Sequence, residues 1–199
     1  MTKEEKQLKL SEIAKKIAAT KGGPFGPELN PVPGEGSPDA EILFIGEGPG
    51  FHEDRQSRPF VGVSGQLLRR TMAENGFNEK DVFITNIVKF RPPENRDPTP
   101  EEIEYFRPFL DDQIKIINPK IIVTLGRFSM YKFLGQGVSI TKIHGNPKKV
   151  DDFLIFPMFH PAAALRDPRV MQEFKDDFKK LKKILKQVQD DTIKQYELF

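Results

Sequence analysis

The stretch Gly46-Glu47-Gly48-Pro49-Gly50-Phe51-His52-Glu53-Asp54 follows directly on the apolar run Ile42-Leu43-Phe44-Ile45. Glycines and a proline closing a buried-type strand, with carboxylates beside a histidine, suit two chemistries. One is a backbone cradle for a cofactor phosphate; the other is a holder for a catalytic acid. Residue types exclude the cradle. No Gly-Lys-Ser/Thr opens a helix here, as a Walker loop requires. Phe51 occupies the third glycine position of a dinucleotide fingerprint, and Pro49 removes a backbone donor that would face a pyrophosphate. The glycines instead let the backbone approach something flat, while Glu47 projects into the site.

Four side chains stand where chemistry is expected. Glu47 is either a general base activating water or a carboxylate capping a nearby turn. Asn86 lies on an apolar strand, where Asn is disfavoured, and either reads a ligand's donor and acceptor edge or bonds to neighbouring backbone. His160, before Pro161, either donates to a developing anion or is a satisfied structural histidine. Phe60, in the Arg58-Pro59-Phe60 stretch, either stacks on a base or packs in the core. His52 and His144 read as structural or surface residues.

The elements that must position these groups follow from hydrophobic periodicity. Four short runs rich in Ile, Val and Phe cover 41–46, 81–87, 120–126 and 153–159. They are nearly continuous in apolar character, as strands covered on both faces should be. Helical patterns near 64–76, 100–117 and 126–134 alternate with them, which predicts a parallel sheet between helices. Functional residues of such sheets gather at the carboxyl ends of the strands. Glu47, Asn86, Gly126-Arg127 and His160 all follow strand ends, so an acid, an amide and an imidazole should share one rim. Residues 3–19 predict an amphipathic helix through Leu10, Ile13, Ala14 and Ile17. Residues 20–39 are too rich in Pro and Gly for regular structure. The stretch before the last strand, Asn146 to Asp152, suits a hairpin arm. Phe174, Phe178, Leu181 and Leu185 predict a docked helix over 169–188, with its lysines in solvent.

Composition narrows the classes. The chain of 199 residues is long enough for one buried domain, expected over 1–188 with a tail at 189–199. Its charged N-terminus predicts no secretory signal. Cysteine is absent, which excludes disulfides, thiolate nucleophiles and thiolate-bound metal clusters. A formal charge of +2 permits nucleic-acid binding without arguing for it.

With these residues in place, the sequence closely resembles the family 4 uracil-DNA glycosylases. The resemblance runs from about Pro31 to Leu185 and rests on blocks in family order. These are VPGEGSPDAEILFIGEGPGFHED, RPFVGVSGQLL, VFITNIVKFRPPENRDPTPEE, KIIVTLGR, SITKIHG and FPMFHPAAALRDP. It implies a three-layer α/β/α sandwich around a four-stranded parallel sheet. It also implies hydrolysis of the bond between uracil and deoxyribose in single- or double-stranded DNA. Glu47 would be the water-activating or cation-stabilising carboxylate. Gly46 and Gly48 would line the uracil pocket, Phe60 would stack on the flipped base, Asn86 would read its edge, and His160 would contact O2. Arg58, Ser64, Lys89, Arg91, Leu165 and Arg166 are the expected DNA contacts. A monomer in a prokaryotic cytoplasm, associated with the nucleoid, is the expected setting.

Two departures from the family pattern stand out. The cysteines that hold its 4Fe–4S cluster correspond here to Thr20, Gly23, Phe90 and Phe106. No cofactor is therefore expected, and hydrophobic packing should take the cluster's place. The residue of the HPAAALR block that is often a Leu wedge is here Ala164, which leaves Leu165 or Arg166 for that task. Separately, the terminal Gln195-Tyr196-Glu197-Leu198-Phe199 resembles the short peptides by which bacterial repair proteins dock on the sliding clamp. Gln195, Leu198 and Phe199 are its expected contacts, carried on a polar tether from Gln187 to Lys194.

Overall fold

The computed structural model describes the backbone of residues 1–196 and the side chains of residues 1–190. Helix α1 spans Lys3–Ala19 and starts at a reciprocal cap, in which Thr2 accepts from the Glu5 amide and Glu5 reaches back to the Thr2 amide. The Pro/Gly-rich segment after it is mostly loop, as its composition predicts, with two short regular pieces. It carries a helical turn at Gly23–Phe25 and a short strand, β1, Glu35–Gly36. Then follow β2 (Ile42–Gly46), α2 (Phe51–Gln56), α3 (Val63–Glu74), β3 (Val82–Asn86), α4 (Pro100–Ile117) and β4 (Ile121–Leu125). The remainder is α5 (Arg127–Leu134), α6 (Ile140–Ile143), β5 (Lys148–Val150), β6 (Phe153–Met158), α7 (Pro161–Ala164) and α8 (Pro168–Tyr196).

The sheet has six strands in the order β1-β3-β2-β4-β6-β5. The four central strands are parallel, as their apolar runs predict. The expectation of four strands is amended by antiparallel edges. β1 pairs with β3, and β5 with β6 through the hairpin arm. Both edge strands are too short and polar to read as strands from periodicity alone.

Alternation along the central strands sends side chains to two separate cores. Phe44, Ile84, Val123 and Phe156 face one side, where Leu67, Leu68 and Met72 of α3 and Phe174, Phe178 and Leu181 of α8 cover them. Leu43, Ile45, Phe83, Ile122 and Ile155 face the other, under Leu10, Ile13 and Ile17 of α1 and Phe106, Leu110 and Ile114 of α4. The result is the expected three-layer α/β/α sandwich. Each large apolar side chain enclosed in these layers contributes about 1.5–3 kcal/mol relative to exposure. Among the described residues, no helix is long and apolar enough to cross a membrane.

The last helix corrects one expectation. α8 does not stop at Val188 but continues to Tyr196, so the polar stretch from Gln187 is helical rather than a tether. The Gln189 amide donates to Glu41 Oε2 at 2.5 Å, tying the helix to the start of β2. Leu198 and Phe199 of the clamp-like peptide lie outside the described residues, and Gln195 is described only as helical backbone.

Candidate active site

A cavity of about 580 Å³ opens at the carboxyl ends of the parallel strands, within the range of small-molecule sites. Glu47 after β2, Asn86 at the end of β3, Gly126 and Arg127 after β4 and His160 after β6 all line it. Gly48, Phe60, Ser64 and Arg166 complete the set of sequence-predicted residues on its wall.

The floor is built by close packing. A Cβ on Gly46 would collide with Asn86 Oδ1 and the Phe60 ring, so only glycine lets those two side chains meet over the strand end. The Gly46 and Glu47 carbonyls accept from the Ile87 and Val88 amides at 3.0 and 3.1 Å, which extends β2–β3 pairing to the cavity edge. Asn86 is 1% exposed, and its Oδ1 has no hydrogen-bond partner. A buried amide oxygen left unpaired costs about 1–3 kcal/mol. An acceptor held open in this way is suited to a ligand N–H.

Phe60 is held by an unusual turn. Its φ is +53°, a left-handed conformation that a bulky residue rarely adopts. Three features hold it there. Glu53, nearly buried, accepts from the amides of Val61 (2.8 Å) and Gly62 (2.7 Å) on one side and Gly50 (3.1 Å) on the other. Arg69 donates to the carbonyls of Phe60 (2.8 Å) and Pro59 (2.7 Å). Gly65 gives the Phe60 carbonyl room against α3, where any Cβ would clash. Asp54 also acts on loop structure, accepting from the Asn30 amide at 2.8 Å. The acids beside Glu47 thus shape the site rather than enter the chemistry.

His160 caps α7. Its Nδ1 accepts from the Ala162 amide at 3.2 Å, so the neutral ring carries its proton on Nε2. Burial, reinforced by the charge of Arg166, holds its pKa down to about 4, with Glu53 opposing. At neutral pH the imidazole is therefore an uncharged Nε2–H donor. Its ring lies 5.8 Å from that of Phe60, with 36° between the planes.

Glu47 is pushed the other way. Burial first, and then the Asp97 carboxylate, raise its pKa to about 7, with Arg127 opposing. Asp97 lies in an irregular segment and pairs with Arg127 at the start of α5. Both line the cavity, together with Asn95 and Arg96. Asp97, Asn95 and Arg96 were missed in the sequence. The only available signal was the polar stretch between β3 and α4, whose destination depends on tertiary folding.

The expected DNA contacts divide. Ser64 and Arg166 are on the cavity wall, and Leu165, at the end of α7, is 45% exposed beside it. Ala164 is buried, so it is no wedge. Arg91 lines a neighbouring apolar groove that shares Pro92 with the cavity, and its guanidinium lies 5.2 Å from the exposed Phe51 ring. Arg58 is engaged elsewhere. It makes a bidentate pair with Glu35 at 2.7 and 2.9 Å in a separate cleft. Lys89 is corrected outright: it is fully buried, bonded inside the protein, and cannot meet a phosphate.

The positions of the family's cluster ligands do come together. Phe90 and Phe106 are both 0% exposed, with ring centroids 6.0 Å apart, and Phe25 lies 5.7 Å from Phe106. A Cβ on Gly23 would come within 3.3 Å of the Phe106 ring, and the Gly23 amide donates to the Thr20 carbonyl at 3.0 Å. Two phenyl rings, a threonine hydroxyl and a glycine offer no thiolate, so these residues do not fit an iron–sulfur cluster. Among the described residues, no group of three or more His, Asp or Glu could hold a metal ion.

A cavity at the carboxyl rim of a parallel sheet, lined by an acid, an amide, an imidazole and an aromatic ring, has the composition of a nucleobase-processing site. The family model for the uracil DNA glycosylase superfamily matches residues 33–188. A type-4 uracil-DNA glycosylase of Sulfurisphaera tokodaii is 49% identical over 78% of this chain and 74% of its own length. One from Thermotoga maritima is 46% identical over 83% of this chain and 86% of its own. A type-5 uracil-DNA glycosylase of Thermus thermophilus is more distant, at 32% over 63% of each chain. The chain belongs to the uracil-DNA glycosylase superfamily and, within it, to the type-4 family.

Proposed function

We propose that this protein hydrolyses the N-glycosidic bond of deoxyuridine in DNA, releasing uracil and leaving an abasic site. The observation that carries the reading is the unpartnered Asn86 Oδ1, in one cavity with the Nε2–H of His160 and the Glu47 carboxylate. A base inside a duplex is out of reach, so the target must be extruded into the cavity. There it stacks on Phe60. Asn86 accepts from uracil N3–H and donates to O4; cytosine presents the reverse pattern and leaves both groups unpaired. As the C1′–N1 bond breaks, the uncharged His160 donates to O2, where negative charge collects. Ionised Glu47 faces the sugar, stabilises its cationic character and takes the proton of the attacking water. Ser64, Arg166 and Arg127 line the strand's path into the cavity, Leu165 wedges into the vacated stack, and Arg91 with Phe51 receives a neighbouring nucleotide.

The test uses oligonucleotides containing uracil, hypoxanthine or only normal bases, scored by cleavage at abasic sites. Uracil-dependent cleavage is expected. Release of hypoxanthine in preference to uracil, or no release at all, overturns the reading.

Two finer readings accompany it. The enzyme works without an iron–sulfur cluster, its place taken by the Phe25–Phe90–Phe106 packing; stoichiometric iron in the purified protein would refute this. The terminal Gln195, Leu198 and Phe199 dock the monomeric enzyme on a sliding clamp. Removal of residues 195–199 should abolish clamp affinity, and unchanged affinity refutes it.

A further inference from the structure

Lys89 takes no part in the site as described, yet it is among the least economical residues in the molecule to enclose. Its side chain is 0% exposed. Nζ lies 2.8 Å from Thr85 Oγ1, 2.8 Å from the Asn86 carbonyl oxygen and 2.7 Å from Gln113 Oε1 on α4. All three are acceptors. The Thr85 hydroxyl gives its own hydrogen to the Pro33 carbonyl at 2.9 Å. Gln113 Nε2 donates to the same carbonyl at 2.7 Å, which turns its oxygen towards Lys89. Three acceptors and no donor call for three N–H bonds, which an ammonium has and a neutral amine lacks.

None of these partners is a carboxylate. Burial, and then the charge of Lys132, drive the Lys89 pKa well below the ordinary lysine range, and it is the three acceptors that hold the ammonium against that pull. A methionine or leucine would fill the space without that opposition but would leave three buried acceptors unpaired. Satisfying them is one reason for a lysine here.

Its position supplies another. Thr85 and Asn86 are consecutive on β3, so their side chains point to opposite faces of the sheet. The Asn86 amide faces the base cavity, and Lys89 grips the Asn86 peptide from behind it. Uracil departs as an anion on the far side of that residue.

We infer that Lys89 is a positioning residue of the uracil site, a fixed positive charge behind Asn86 that holds its peptide and stabilises the departing uracil anion. The inference rests on the uracil-release reading. In the step concerned, the C1′–N1 bond breaks and its electron pair goes to N1, spreading over O2 and O4. Water adds through oxygen to C1′, and its proton passes to Glu47. Lys89 keeps its protons throughout and acts through the field it sets up in a low-dielectric interior.

The test compares leaving groups in the full chain. Lys89→Met preserves shape and removes charge. Gln113→Glu keeps the lysine and places a counter-charge on it. Single-turnover release is measured for uracil and for 5-fluorouracil, whose anion is intrinsically more stable and needs less help. For each variant, uracil release should fall by roughly 10- to 100-fold, less than the ~10²- to 10³-fold for a donor in direct contact because Lys89 acts from behind Asn86, and 5-fluorouracil release should fall several-fold less. Equal losses on both bases mean a packing defect and overturn the inference, as does wild-type behaviour of both variants. If Lys89→Met does not fold, the Gln113→Glu comparison decides alone. A wild-type protein inactive on uracil overturns the parent reading instead, which separates the two failures.

Discussion

The base cavity and the aromatic cluster beneath the 20–39 segment lie in one sandwich but obey opposite rules. At the cavity, polar groups are kept under tension. Asn86 Oδ1 is buried without a partner, Glu47 is held near half-ionisation at neutral pH, and Phe60 sits in a left-handed turn. At the cluster, Phe25, Phe90 and Phe106 are packed ring to ring, and Phe90 and Phe106 are fully enclosed. The first region gives up stability for chemistry; the second supplies stability through ring packing. The comparison teaches that aromatic packing and a poised polar site can share the connection from β3 to α4, which carries Phe90 into the cluster and Asn95, Arg96 and Asp97 to the cavity.

The largest effect that could break this contrast is at Glu47. Glu47→Gln should lower single-turnover uracil release by about 10³-fold, in the usual range for a general base, while affinity for DNA is retained. Unaltered turnover would remove Glu47 from the chemistry. On the stability side, Phe106→Ala should cost about 3–5 kcal/mol, as for other buried Phe truncations, measured by the urea midpoint. Its turnover at a temperature where the variant is folded should stay near wild type; a collapse of both together would show that the regions are coupled. Asn86→Ala should slow uracil release by roughly 100-fold, comparable to loss of a recognition hydrogen bond, and narrow the preference for uracil over cytosine. A variant that keeps full discrimination would shift base reading elsewhere.

The smallest effects concern pH. Glu47 works ionised and its pKa is about 7, so release should rise about tenfold per pH unit below that value and level off above it. Asp97→Asn removes a charge that raises this pKa, so the midpoint of the profile should move to lower pH; a fixed midpoint would discard the pairing. The same shift has a stability consequence of defined sign. Folded Glu47 titrates above its ordinary value of 4.5, so its ionisation weakens the fold progressively from there to about pH 7 and no further. Glu47→Gln should accordingly be more stable than the parent at pH 8, as read from thermal melting.

Much of this was legible in residue order, for a physical reason. The four central strands are covered on both faces, so their apolar runs are continuous, and strand ends in a parallel sheet all point to one rim. That places Glu47, Asn86 and His160 together before any coordinates. The misreadings share a different origin. Lysine is mostly exposed, so Lys89 read as a phosphate contact. Its fate was decided by a distant partner, Gln113 on α4. Asp97, too, reaches Glu47 only because the segment before α4 folds over the rim. The polar residues from Gln187 on read as tether, yet a helix docked through Phe174, Phe178 and Leu181 carries them onward in register.

The turn at Phe60 has a consequence for timing. Glu53, Arg69 and Gly65 fix that strained residue through contacts made wholly within the protein. The ring on which a base lands is thus set during folding, and the conformational cost is settled before substrate arrives. Encounter with DNA need not first order this wall of the pocket, so more of the binding free energy is left to draw a nucleotide out of its stack.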